Sequence, residues 1–142
     1  MRVLNERPPE WIMDGCMSQF RVDVNHTLWT YGDTIFNPGA FHISDSLLAH
    51  EALHSVQQRE YEGGKDAWWK RYLTDAEFRF QQELQAHGIE YAALKKDVKD
   101  RNQQARALTQ IAQRLSGPLY QIAMPYSECM KAIREIATAA RL

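Results

Sequence analysis

Two histidines four residues apart, with a glutamate directly after the first, form the segment of this chain best suited to chemistry. His50, Glu51 and His54 lie in the sequence His-Glu-Ala-Leu-His, called here the HExxH segment. On an α-helix, four residues advance about 6 Å and turn about 40° beyond a full turn. Both imidazoles therefore project from one face and can bind one ion. This spacing predicts a Zn²⁺ site, because zinc readily accepts neutral imidazole.

The glutamate of the segment is predicted to be catalytic. Glu51 lies about 100° around the helix from His50, which keeps it off the ion but near a water in an open coordination position. Zinc lowers the pKa of such a water toward about 7, and a neighbouring carboxylate can then act as general base. These residue types in this order therefore predict a hydrolase.

A tetrahedral site needs a further protein ligand, and a later helical segment supplies the candidates. Glu83 and His87 lie on or beside the apolar stripe of that segment, where a polar group is costly to bury unless a partner such as a metal compensates. Glu83 is the preferred third ligand, with His87 as a further ligand or a partner of the ligands. Glu90 remains an alternative to Glu83, because seven residues return it to nearly the same side of the helix. For stabilising an oxyanion, the candidates are His42, His87 and Tyr91, and the sequence does not choose among them.

The surrounding patterns predict a mostly helical α+β fold, with a small antiparallel hairpin packed on the HExxH helix. Alternation predicts strands at residues 20–24 and 27–31, and the Gly32-Asp33 pair before residues 34–36 predicts the hairpin turn. Residues 34–37 are expected to be an edge strand that aligns an extended substrate. Helical spacing and capping residues predict helices at about 44–60, 66–73, 74–100, 102–115 and 127–142, and a short helix from Pro9.

Composition limits the function classes. The chain has 142 residues, of which 44% are hydrophobic and 25% charged, as expected for a single domain over residues 1–142. The net charge of -1 and the lack of a basic stripe argue against nucleic acid as a partner. No segment has the apolar length of a membrane span or signal peptide, so we expect a protein made in the cytoplasm without a membrane partner. Cys16 and Cys129 are predicted to be free, buried thiols.

The order of the segments resembles a minimal gluzincin, a zincin-type metallopeptidase. The resemblance lies in the hairpin, the capped helix with residues 47–58 and the following helix that bears Glu83. In gluzincins, two helix histidines and a glutamate from a following helix hold the zinc. The resemblance thus implies that His50, His54 and Glu83 are the metal ligands.

Three further runs are similar to small HExxH proteins encoded by tailed bacteriophages and prophages. They are residues 68–74, 78–86 and 116–120, and the resemblance covers about residues 27–120. It implies a peptide or protein substrate and, for phage proteins, association with the virion. Related sequences often carry a glutamate where this chain has Gln85, which leaves open whether Glu83 is the family's ligand.

Two functions of different class fit these observations. In the first, the protein is a zinc-dependent peptidase with Glu51 as general base. In the second, it is a catalytically weak or inactive zincin-fold structural or assembly protein of a phage particle. There zinc staples two helices, and the surface around Trp68 and Trp69 docks phage structural proteins. The sequence fixes neither the substrate nor the oligomeric state.

Overall fold

The computed structural model describes residues 1–116 and 124–140, which form six α-helices and a three-stranded sheet. The strands are β1 (Arg2–Leu4), β2 (Trp29–Tyr31) and β3 (Thr34–Phe36). The helices are α1 (Glu10–Gln19), α2 (Asp45–Glu60), α3 (Gly64–Thr74), α4 (Ala76–Asp97), α5 (Arg101–Leu115) and α6 (Tyr126–Ala140). The predicted mostly helical α+β class is confirmed.

The sheet has β3 at its centre, with β1 parallel on one side and β2 antiparallel on the other. Gly32, at φ +62°, allows the two-residue turn between Tyr31 and Thr34, so the predicted hairpin is confirmed. The prediction that residues 34–37 form an edge strand is wrong, because β1 pairs with β3 in register from Arg2↔Thr34 to Leu4↔Phe36. β1 is three residues long, too short for an alternating pattern to reveal it.

The strand predicted at residues 20–24 is also wrong. A single 3₁₀ turn covers Val24–His26, and the extended Phe20 that ends α1 belongs to no strand. The side chain of Asp23 accepts a hydrogen bond from the Asn25 N–H, and its carbonyl accepts one from the His26 N–H at 3.0 Å. These local bonds satisfy the backbone groups that a strand would need to pair.

The helices begin and end close to their predicted positions. The Ser44 side chain caps α2 by accepting from the Leu47 N–H at 3.3 Å. Asp75, rather than the predicted Thr74, caps α4 by accepting from the Phe78 N–H at 3.0 Å. The glycine pair 63–64 separates α2 from α3 as expected. The predicted stop at residues 117–118 and the last two residues of the final helix lie outside the described residues.

Two apolar clusters flank the polar residues of α2 and α4. The first joins α1, β2 and α3 through Ile12, Met13, Cys16, Trp29, Trp68, Trp69 and Leu73. The second joins α4, α5 and α6 through Phe80, Leu84, Tyr91, Ala92, Leu108, Ile111, Ala112, Leu115, Cys129, Ile133 and Ala137. Both cysteines are free and buried, as predicted. Within the part of the chain that the structure describes, no helix is long and apolar enough to cross a membrane.

Gly88 lets α6 approach the face of α4 next to the predicted ligands. A Cβ at Gly88 would lie 2.2 Å from Cγ2 of Ile136 and 2.6 Å from its Cβ. We expect Gly88→Ala to lower the free energy of unfolding by about 1–3 kcal/mol, because the overlap outweighs alanine's better helix propensity. Denaturant unfolding measures this change.

Gly15→Ala in α1 is the matched control. There the new methyl would meet the side-chain end of Leu73, with the closest atom, Cδ1, at 2.6 Å, and that flexible side chain can move. A Gly88→Ala protein at least as stable as Gly15→Ala would contradict the close packing of α4 on α6.

Candidate metal centre

Helices α2 and α4 bring His50, His54 and Glu83 together. The two Nε2 atoms lie 3.2 Å apart. Oε2 of Glu83 lies 3.2 Å from Nε2 of His50, and Oε1 of Glu83 lies 3.2 Å from Nε2 of His54. All three residues are buried, with exposures of 5–6%. Each histidine thus meets its own oxygen of Glu83, and the carboxylate bridges the two rings.

These distances fit a tetrahedral ion. Donor atoms that lie about 2.0–2.1 Å from zinc at tetrahedral angles are about 3.3–3.4 Å from one another. The Nε2–Nε2 distance, and the distance from each Nε2 to its own oxygen of Glu83, are all 3.2 Å and close to that spacing. Among the described residues, two buried groups have donor atoms close enough together to hold a metal ion: His50, Glu51 and His54, and His50, His87 and Glu90.

Hydrogen bonds on the far side of each ring favour the tautomer that a ligand needs. Nδ1 of His50 lies 2.9 Å from Oε1 of Glu90, and Nδ1 of His54 lies 2.8 Å from Oε1 of Gln57. The Gln57 amide is oriented by its own Nε2, which donates to the Gln82 carbonyl at 3.0 Å. Since both acceptors require an Nδ1–H, each Nε2 can present a lone pair to an ion once the proton it shares with Glu83 has left.

Glu90 lies on the other side of the His50 ring from Glu83, where it belongs with His50 and His87 to the second group that could hold an ion. Besides His50, its Oε1 meets Nδ1 of His87 at 3.0 Å, and its Oε2 accepts from Nη2 of Arg114 at 3.0 Å. Gln85 is exposed on the opposite side of α4. Of the two glutamates, Glu83 is the one whose oxygens face both Nε2 atoms.

The carboxylates make this site attractive to cations. Burial lowers the pKa of His50, but hydrogen bonds to Glu83 and Glu90 outweigh it and raise that pKa to about 10. Burial alone would raise the pKa of Glu83, yet the charge of His54 and the hydrogen bonds from both histidines hold it well below its usual value. A proton or a metal ion between these groups is stabilised by the same charges, so metal binding would release a proton.

Two hydroxyl groups orient the carboxylates. Tyr72 donates to Oε1 of Glu83 at 2.8 Å, and Thr30 of β2 donates to Oε1 of Glu51 at 3.0 Å. The other oxygen of Glu51 lies 3.5 Å from Nε2 of His50. Burial raises the pKa of Glu51, the direction that strengthens a carboxylate as a proton acceptor. Glu51 is thus held beside the donor atoms.

His87 also reaches this centre. Its Nε2 lies 3.9 Å from Oε2 of Glu83 and has no hydrogen-bond partner among the described residues, although the side chain is 95% buried. Burial and the charge of His50 lower the pKa of His87, which favours the neutral form of its ring. Because Nδ1–H donates to Glu90, the buried Nε2 carries a lone pair, which suits a metal ligand better than an oxyanion donor.

A cavity of about 850 Å³ opens onto the donor atoms. His50, Glu51, His54, Glu83 and His87 line it, with aromatic side chains of β2 and α3 on one wall. The remaining oxyanion candidates are not brought to it. Tyr91 lies in the apolar cluster of α4, α5 and α6, because eight residues place it about 80° around the helix from Glu83. His42 is exposed in the loop before α2.

Sequence reasoning missed four polar residues that surround the ligands: Thr30, Gln57, Tyr72 and Arg114. Gln57 follows His54 by three residues on the same helix, so its contact was accessible from spacing alone. The other three come from β2, α3 and α5, and no local pattern in the sequence indicates their contacts. They meet the site through tertiary packing.

Comparisons with known proteins add no family assignment. No family model matches the sequence, and searches of curated proteins and of solved structures give no significant match.

We expect the protein to bind one divalent ion per chain through Glu83. Glu83→Ala removes one of three donors and should weaken metal binding at least about 100-fold. Glu77→Ala, an exposed carboxylate on the same helix, should bind as the unchanged protein does. Competition with a chromophoric chelator measures both affinities. Equal affinities for the two variants would contradict the assignment of Glu83.

Glu90→Gln should give a different result from Glu83→Ala. The amide can still accept from Nδ1 of His50, so the ion is retained, but we expect its affinity to fall about 10–100-fold as the carboxylate charge is lost. The same chelator competition measures this. Complete loss of the ion in Glu90→Gln, with retention in Glu83→Ala, would show that Glu90 and not Glu83 is the ligand.

Proposed function

We propose that this protein is a zinc-dependent hydrolase of peptide bonds. The observation that carries the proposal is the position of Glu51, whose Oε2 lies 3.5 Å from a ligand nitrogen of His50 at the wall of a large cavity. Beside an ion held by His50, His54 and Glu83, this further buried carboxylate is placed to take a proton from a bound water. A buried carboxylate with a raised pKa is what general acid–base catalysis requires.

The donor set supports zinc as the ion. Two imidazole nitrogens and one carboxylate are the ligands of many catalytic zinc sites, which keep one position open. Magnesium and calcium prefer sets made of oxygen alone. His50, His54 and Glu83 would hold the zinc, with Glu90 and Gln57 fixing the two rings.

The roles of the side chains follow from their positions. When bound, zinc supplies Lewis acidity that polarises a carbonyl and lowers the pKa of water toward about 7. Glu51 takes the proton from the attacking water and delivers it to the departing amine. The Thr30 hydroxyl keeps Glu51 oriented between these two steps. The aromatic wall of the cavity excludes bulk water from the reacting groups.

An extended peptide would align along the edge of β2 that does not pair with β3. The Thr30 carbonyl on that edge already accepts from Gln58 Nε2 at 2.7 Å and from Trp69 Nε1 at 2.9 Å. Along a strand, every second residue directs its N–H and C=O to the same edge, so those of Leu28 face the same edge as those of Thr30. Leu28 also lines the cavity. Substrate pairing would therefore involve Leu28 rather than β3.

A second candidate is the phage structural or assembly protein, in which zinc staples α2 to α4. The buried Nε2 of His87, which has no hydrogen-bond partner in the described part of the chain, favours it, because a fourth protein ligand would close the coordination shell. In that case phage structural proteins would be the partners and the virion the destination. The distance of 3.9 Å from His87 to Glu83, longer than the 3.2 Å of the other donors, is why we prefer the hydrolase.

Glu51→Gln should keep the zinc and lose the reaction. The amide preserves the hydrogen bond from Thr30 but cannot take a proton, so we expect kcat/KM to fall about 100-fold or more. The assay is cleavage of a mixed peptide library by the zinc-loaded protein, read by mass spectrometry. Glu60→Gln, at the exposed end of α2, is the control and should cleave as the unchanged protein does.

Two results would overturn the proposal. One is an unchanged protein that carries zinc and cleaves no peptide of the library. The other is cleavage that survives in Glu51→Gln at the rate of the Glu60→Gln control.

X-ray absorption at the zinc edge separates the hydrolase from the staple. For the hydrolase we expect two imidazole ligands, and the same two in His87→Gln, because His87 stays outside the shell. The staple requires three imidazoles in the unchanged protein and two in the variant. Three imidazoles that fall to two would establish His87 as a ligand and favour the structural role.

A further inference from the structure

Arg79 is a buried cation in the wall of the same cavity. It lies on α4 one turn before Glu83, lines the cavity and is 2% exposed. Arginine is almost never this deeply buried unless a partner compensates its charge. The position of this residue therefore requires an explanation beyond packing.

The contacts of Arg79 leave part of its guanidinium unsatisfied. Nη1 donates to the Tyr72 carbonyl in the last turn of α3 at 2.6 Å. The group lies 4.6 Å above the ring of Phe20, and its buried Nε has no partner among the described residues. Within that part of the chain, the ion pairs include none to Arg79. A helix end and two aromatic rings, those of Phe20 and, at 5.8 Å, of Tyr72, compensate the charge only partly.

The charges around the cavity point to an anionic ligand. Its lining carboxylates are Glu51 and Glu83, and a divalent ion would balance these two charges. Of the described residues, three arginines line it, and one of them, Arg114, is paired with Glu90, which lies outside the lining. Arg21 and Arg79 then leave a surplus of positive charge.

We propose that Arg79 binds a carboxylate of the substrate. This inference rests on the proposed peptide hydrolysis and specifies its substrate class: peptides with a carboxylate near the bond to be cleaved. One helical turn, about 6 Å, separates the Cα atoms of Arg79 and Glu83, which is the length of about two extended residues. The carboxylate therefore belongs to the chain end or to an acidic side chain within about two residues of that bond. The guanidinium of Arg79 suits this ligand, because two of its N–H groups can donate to the two oxygens of a carboxylate.

Calorimetry with non-cleaved peptides tests this directly. The protein is zinc-loaded Glu51→Gln, and the probes are an acetylated Ala-Phe-Ala peptide with a free carboxylate, its C-terminal amide, and an amide with glutamate as last residue. We expect the first or the third probe to bind at least about tenfold more tightly than the plain amide. Which of the two does so identifies the chain end or the side chain as the source.

Arg79→Gln in the same background should abolish this preference while leaving the affinity for the plain amide unchanged. The matched control is Arg71→Gln. Arg71 also stacks on an aromatic ring, 4.5 Å above Phe78, but pairs with Asp75 on the surface and does not line the cavity. The Arg71→Gln protein should keep the full preference for the carboxylate peptide over the plain amide. If Arg79→Gln does not fold, Arg79→Lys is the second variant. Lysine keeps the charge but cannot donate two parallel hydrogen bonds, so it should retain only part of the preference for the carboxylate peptide.

Equal affinity for all three probes in the Arg79-containing protein would overturn the inference, and so would a preference that survives in Arg79→Gln. The proposed function fails separately. If Glu51-containing protein cleaves no peptide but the carboxylate preference depends on Arg79, the anion site stands without the hydrolase. If acid and amide peptides are cleaved equally, the hydrolase stands without the anion site.

Discussion

Helix α2 is held at the centre of the molecule by a buried face that is entirely polar. Its buried residues are His50, Glu51, His54, Ser55 and Gln58. Apolar burial, the usual reason that a helix packs, contributes little on this face. Buried polar groups destabilise a fold unless each finds a partner, so the position of α2 depends on how these side chains are satisfied.

The partners come from two directions. On the hairpin side, Gln58 accepts from the Gly32 N–H and donates to the Thr30 carbonyl, both at 2.7 Å. On the α4 side, Glu83 and Glu90 meet the histidines of α2. The two carboxylates would be strongly unfavourable here without a cation. The same interactions that hold α2 in place therefore create a site for positive charge, and structure and chemistry share one set of contacts.

The sequence predicted the parts of this arrangement that lie on single helices. The spacing of His50 and His54 places them on one face whatever surrounds α2, and the periodicity of α4 brings Glu83 to its buried side. Helix ends were predicted because Ser44 and the glycines after α2 act locally. The strand at residues 20–24 was predicted wrongly because a side-chain bond from Asp23 overrides a weak alternation.

Contacts between elements distant in the chain were beyond such reasoning. β1 pairs with a strand thirty residues later, and its three residues carry no readable period. Arg114 reaches Glu90 from α5, and Thr30 reaches Glu51 from the hairpin. Periodicity could not choose between Glu83 and Glu90, which lie only about 20° apart around α4. What separates them is the side of the His50 ring that each one meets.

The most direct test of the metal centre is anomalous diffraction at the zinc edge from crystals of the zinc-loaded protein. We expect one strong peak per chain, about 2.0–2.2 Å from Nε2 of His50, Nε2 of His54 and an oxygen of Glu83. A peak bound by Glu90 instead of Glu83, or no peak where the two histidines converge, would contradict this expectation.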